Sequence, residues 1–172
     1  MSLHVVLYEP EIPQNTGNII RSCVACGAEL HIIEPMGFDL YKKNVSRYAT
    51  NHLEHASITT YPNLENFFSK RKGLFFYLTR YGKKAPSDID FHSPEGDIYL
   101  VFGKESTGLP YNLLKDNLEV CFRLPMTPEA RSLNLSNCVS IVLYEARRQQ
   151  GFPGMSFLEV QKGENFLESF DI

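Results

Sequence analysis

The chain reads as one α/β domain, a mostly parallel sheet of five or six strands with helices on both faces. Two observations carry this reading. Short apolar runs recur at residues 5–8, 30–33, 74–78, 98–102 and 120–124, and amphipathic stretches separate them, the alternation expected of repeated βα units. The length of 172 residues suits a single core, and 43% hydrophobic residues with twelve Phe and nine Tyr exclude a disordered chain.

Taking the elements in order, residues 1–8 read as a first strand, because they lack the basic region and long apolar core of a signal peptide. No run of 18 apolar residues is present for a membrane span, and the expected location is cytoplasmic. Cys23 and Cys26 have C-x-x-C spacing but fall within a helical pattern, with no second pair to complete a zinc site. Together with Cys121 and Cys138 they are expected to be buried and reduced, and no metal is expected. The clearest helix comes late: Leu135, Cys138, Val139, Val142, Leu143 and Ala146 share one face. Ser132 or Asn134 can cap its start, Arg147 and Arg148 suit the dipole of its last turn, and Gly151 with Pro153 end it. Residues 1–154 then form the domain and 155–172 a tail.

Seventeen Lys and Arg against twenty Asp and Glu give a net charge of −3. A cationic coat for nucleic acid is excluded, so any such binding must come from local clusters such as Lys42-Lys43, Lys70-Arg71-Lys72, Lys83-Lys84 or Arg147-Arg148.

Three polar segments sit where open parallel sheets place their ligands. In residues 13–21, Gly17 permits a tight turn, Thr16 or Asn15 can cap a helix, and Arg21 projects from its first turn or two with a donor fork suited to phosphate. Residues 101–110 hold Gly103 and Gly108, but Leu109-Pro110 stands where a phosphate loop needs Lys and Ser or Thr, and G-x-G-x-x-G is missing. A nucleotide triphosphate or NAD site is disfavoured; a loop with close backbone approach, and Glu105 for a hydroxyl or cation, stays open. In residues 123–137, Ser132, Asn134, Ser136 and Asn137 supply more hydrogen-bonding groups than one helix start needs, which favours a binding site. Read alone, the first two segments also fit a capped helix and a plain strand-to-helix turn. No nucleophile elbow or H-E-x-x-H helix occurs, and the five histidines lie apart from these segments.

Together the residues at 8–21, 102–110 and 131–137, with His31-Ile32-Ile33-Glu34-Pro35-Met36-Gly37-Phe38 and Tyr144-Glu145-Ala146, resemble the three motifs of the SPOUT RNA 2′-O-methyltransferases. The likeness runs over residues 3 to 154 and is nearest to the small bacterial branch acting on the wobble nucleotide of tRNA. It implies a C-terminal deep trefoil knot, a homodimer, S-adenosylmethionine as methyl donor, and as acceptor in the tRNA substrate the ribose 2′-hydroxyl of wobble nucleotide 34 in certain leucine isoacceptors. Position by position, the resemblance assigns Leu78, Gly103, Leu124 and Ser132 to the cofactor, with Met126 and Leu133 beside them. Arg21 and Asn134 are assigned to catalysis, and Asn15, Asn18, Glu105 and Ser136 to the substrate. A guanidinium is not a practical base, so Arg21 is expected to clamp a phosphate while phosphate or water takes the proton. Between the second and third strands the family's Arg-Ala-Gly-Leu-Asp-Tyr is replaced here by Arg47-Tyr48-Ala49-Thr50-Asn51-His52. Two alternatives differ in target or class: the same chemistry on rRNA or another tRNA position, or a module that binds adenosylmethionine or RNA without turnover.

Overall fold

The computed structural model describes residues 1–92 and 96–170; residues 93–95 of the expected domain and the last two residues of the expected tail lie outside the described residues. Six strands, β1 (Leu3–Tyr8), β2 (Glu29–Ile33), β3 (Ile58–Tyr61), β4 (Leu74–Leu78), β5 (Ile98–Phe102) and β6 (Cys121–Phe122), form one sheet in the order β3-β2-β1-β5-β4-β6. Every pairing is parallel. The helices are α1 (Pro13–Cys26), α2 (Lys43–Ala49), α3 (Leu64–Lys70), α4 (Tyr111–Lys115) and α5 (Leu135–Gln149).

Both faces of the sheet are covered, which is why its central strands are continuously apolar. From β1, Leu3, Val5 and Leu7 enter one core with Ile19 and Ile20 of α1, Val45 of α2 and Val139 and Val142 of α5. Val6 enters the opposite core with Phe67 of α3 and Leu114 of α4. No apolar run announces β3, because Ile58-Thr59-Thr60-Tyr61 lies at the sheet edge with only Tyr61 fully buried. The last strand is shorter than its run, since residues 118–120 form a 3-10 turn.

Several local expectations need correction. Helix α1 starts at Pro13, so Asn15 and Thr16 are buried in its first turn rather than capping it, and Arg21 stands in its third turn. Gly17 makes no turn: a Cβ there would meet Tyr48 Cβ and the Val45 carbonyl at 2.7 Å, so its bareness lets α2 pack against α1. Arg147 is no surface cation but is buried, its guanidinium donating to the carbonyls of Cys26 and Gly27, each at 2.7 Å. One cation thus sits at the carboxyl ends of both α1 and α5, where unpaired carbonyls collect. Cys26 is the last residue of α1; all four cysteines are free and buried, and burial pushes their thiols up. Asn134 caps α5 as expected, and Gly151 follows its end at φ +76. Among the described residues no helix is long and apolar enough to cross a membrane.

From the middle of β2 to the amino end of β1 a polar chain crosses the second core. Arg71 Nε donates to the Tyr61 hydroxyl (2.7 Å), and the same hydroxyl meets His31 Nδ1 at 3.0 Å. His31 Nε2 and His4 Nδ1 meet at 2.9 Å and share one proton, and His4 stands 3.7 Å from Glu29 and 3.6 Å from Asp97. Burial holds both rings neutral, pushing His31 down to about 3 and lowering His4. With Glu29, these two imidazoles bring three metal-capable atoms within 4.8 Å of one another, a cluster that 27 residues of separation hid in the sequence.

Candidate functional site

At the carboxyl ends of β4, β5 and β6 the chain leaves the sheet, and a cavity of about 670 Å³ opens there. The ends of β4 and β5 supply apolar walls in Leu78 and Phe102, the segment after β6 supplies Leu124 and Met126, and the approach to α5 and its first turn supply Ser132, Leu133, Asn134 and Leu135.

A polar frame joins the three segments singled out in the sequence. The loop after β5 and the start of α1 cap one another: Glu105 accepts from the backbone N–H groups of Glu11 (2.9 Å) and Ile12 (3.1 Å), and Glu11 accepts from the Ser106 N–H and hydroxyl, each at 2.8 Å. These bonds hold the Glu11 carboxyl below its ordinary value. Helix α1 has no side-chain cap of its own and Pro13 removes one free donor, so a carboxylate from a distant loop completes its positive end. Glu9, at φ +45 directly after β1, meets Lys104 at 2.6 Å.

Asn134 links the frame to α5. Its Oδ1 accepts from Ser136 N (2.9 Å), Ser136 Oγ (2.5 Å) and Asn137 N (3.4 Å), while its amide donates to Asn15 Oδ1 (2.9 Å). Asn15 in turn donates to Glu105 (3.3 Å). Farther along, Ser22 and Ser140 hydroxyls meet at 2.8 Å and Arg147 reaches Cys26. The order of these bridges shows that α1 and α5 run side by side in the same direction.

The structure therefore gathers Asn15, Leu78, Gly103, Glu105, Leu124, Met126, Ser132, Leu133 and Asn134 around one cavity. It places Asn18, Arg21 and Ser136 elsewhere: the first two are exposed on α1 and Ser136 is buried behind Asn134. The Glu105 carboxylate, read as open to a hydroxyl or cation, is engaged by α1. Gly103 serves close backbone approach, but the approaching backbone is the loop's own: a Cβ would fall 2.3 Å from the carbonyl carbon of Gly108. Sequence reading missed Arg80, Tyr81, Tyr111, Arg123 and Arg131, which also line the cavity. The interleaved Arg80-Tyr81-Gly82-Lys83-Lys84 following a strand was the available signal.

The SpoU rRNA Methylase family model matches residues 2–144. The Escherichia coli (strain K12) protein named tRNA (cytidine(34)-2′-O)-methyltransferase is 47% identical over 155 residues, covering 88% of this chain and 96% of the relative. A solved structure described as giving insights into the 2-OH methylation of C/U34 on tRNA superposes with TM-score 0.80 at 36% identity, covering 87% of this chain and 97% of that one. The SpoU methyltransferase AviRb from Streptomyces viridochromogenes, solved in complex with AdoMet, superposes with TM-score 0.77 at 28% identity, covering 87% of this chain and 60% of that one. With its parallel sheet, its three joined segments and these relatives, the chain belongs to the SpoU rRNA methylase family.

Proposed function

We propose that this protein uses S-adenosylmethionine to methylate the ribose 2′-hydroxyl of wobble nucleotide 34 in tRNA, acting in the cytoplasm as a homodimer. The observation that supports it most is the Glu105–Asn15–Asn134 chain, which brings three segments up to 119 residues apart onto one cavity. The cavity walls suit the cofactor: apolar Leu78, Leu124 and Met126 for an adenosine, with the hydroxyl of Ser132 at the rim. When bound, that cofactor supplies an electrophilic methyl group.

The protein's own groups position the alcohol and stabilise its developing charge. Asn134 uses one amide hydrogen on Asn15 and keeps the other for substrate, and Ser136 acts through Asn134 by fixing its carbonyl oxygen. Arg21, which one copy holds on the exposed face of α1 away from its own cavity, reaches the reacting ribose in the homodimer, where it clamps the adjacent phosphate and its charge favours loss of the hydroxyl proton to phosphate or water. Asn18 stands one turn before Arg21 on the exposed face of α1. That face adjoins the exposed Ile141 and Tyr144 of α5, 46% and 48% accessible, which supports pairing of two copies along α1 and α5. We read residues 1–154 as the catalytic unit, with the expected knot in its C-terminal part, and the rest as a tail.

Methyl transfer to tRNA lacking wobble methylation, followed by nucleoside mass spectrometry, tests the reading. Label on the ribose of nucleotide 34 is expected, and Arg21→Ala should lower kcat about 100- to 1,000-fold with cofactor affinity retained. Cofactor binding without methyl transfer to any RNA would leave a binding module; label at another position would move the target.

A further inference from the structure

We propose that Tyr81 and Tyr111, with Arg80, form a stacking subsite for an unpaired nucleobase of the RNA at the mouth of the cavity. This rests on the RNA methyltransferase reading above. Both tyrosines line the cavity, yet they are 57% and 68% exposed. Their rings meet edge to face with centroids 5.8 Å apart and planes at 80°, and the Arg80 guanidinium lies 5.7 Å from the Tyr81 ring centre.

The mount is fixed. Thr79 donates to the Phe122 carbonyl and Arg123 to the Lys84 carbonyl, each at 2.9 Å, so residues 79–84 are pinned along β6 at both ends. Gly82 lies flat on that strand, where a Cβ would come within 2.4 Å of the Phe122 backbone. Tyr111 opens α4 directly after Pro110. Rings held on such backbones are ready to accept a base with little further ordering.

Charge selects the occupant. A second hollow of about 400 Å³, lined by Lys83, Lys84 and Asp88, shares Arg123 and Met126 with the main cavity. Among the described residues Arg80, Lys83, Arg123 and Arg131 form no ion pair, and Asp88 is engaged by the Ala85 N–H at 2.9 Å. On a chain of net charge −3 this is a local cationic strip beside an exposed aromatic pair. Single-stranded nucleic acid needs both, cations for its phosphates and rings for its bases.

Tyr81→Ala, Tyr111→Ala, the double variant, Tyr81→Phe and Lys83→Ala in the full chain test the subsite. Binding of a fluorescein-labelled anticodon stem-loop RNA is read by anisotropy across a salt series, and S-adenosylmethionine binding by calorimetry. Each alanine variant should weaken RNA binding about 5- to 100-fold with cofactor affinity unchanged. Tyr81→Phe keeps its ring and should match wild type, and Lys83→Ala should lower the slope of log Kd on log salt by about one. Unchanged RNA binding in the double variant overturns the subsite and leaves the methyltransferase reading intact. A parallel loss of cofactor affinity also overturns it, since the pair would then cover the cofactor. Wild-type protein that binds no RNA at any salt removes that reading and the subsite together.

Discussion

Strand β1 has a polar network at each end, and the two are built on opposite principles. At its amino end His4 and His31 are 2% and 0% exposed, and a chain of polar contacts from Arg71 through Tyr61 joins the two rings. At its carboxyl end the Glu9, Glu11, Glu105 and Asn134 bonds also tie elements together, but they border a cavity and leave an amide hydrogen of Asn134 unused. The first network is sealed from solvent, and its His4 Nε2 is left without a hydrogen-bond partner among the described residues. An open one stabilises and still presents donors to a ligand.

Two substitutions should separate these ends most sharply. Gly103→Ala places a methyl 2.3 Å from Gly108 and 2.5 Å from the Leu109 nitrogen, both backbone, so the loop beside the cavity must shift. Overpacking of this kind costs about 3 kcal/mol, and taken from the site it amounts to about 100-fold in cofactor affinity by calorimetry. Cofactor binding equal to wild type would show that the loop yields without touching the site. His31→Ala leaves the Tyr61 hydroxyl and His4 Nδ1 facing a void, at about 3 kcal/mol of stability in urea unfolding. Methyl transfer by the folded fraction should be unaffected; a lower kcat would mean that the two ends of β1 are coupled.

The same contrast governs what the sequence made legible. Strands buried on both faces announce themselves as apolar runs, so β1, β2, β4 and β5 could be read, whereas the half-polar edge strand β3 could not. The segments of the site were visible as surplus polar residues, and the cap at Asn134 followed from its position before the periodic face of α5. Pairings were not legible, because no local signal says that Glu105 completes α1 or that His31 meets His4. Arg147 misled for the same reason: its place in a last helical turn suggested solvent, and only the neighbouring end of α1 explains its burial.

Acid should act on the closed end first. His31 titrates near 3 in the folded chain, because of burial first and then the neighbouring His4 and Arg71, against 6.5 for an ordinary histidine. Glu29 and Asp97 raise His4, but burial outweighs them and it too is lowered. The unfolded chain therefore binds protons first as pH falls below 6.5. Stability is complete above that value and declines towards pH 3, His31 alone contributing up to about 1.4 kcal/mol per pH unit. Urea midpoints from pH 7 to pH 4 should show the slope, and His31→Asn should flatten it. Equal slopes in the two proteins would assign the acid loss to other groups.

The smallest effect tests whether the open end truly serves two purposes. Glu105→Gln keeps the shape of the side chain but removes its charge from the amino end of α1, where it accepts from Glu11, Ile12 and Asn15. Loss of a charged cap is worth about 1 kcal/mol, a modest drop in thermal midpoint. If Glu105 only caps, the stability loss should come with unchanged cofactor and RNA affinity. If the carboxylate also positions Asn15, and through it Asn134, kcat should fall further than stability does, with KM for RNA little changed. Stability equal to wild type would show that the Ser106–Glu11 bonds alone hold this end of α1.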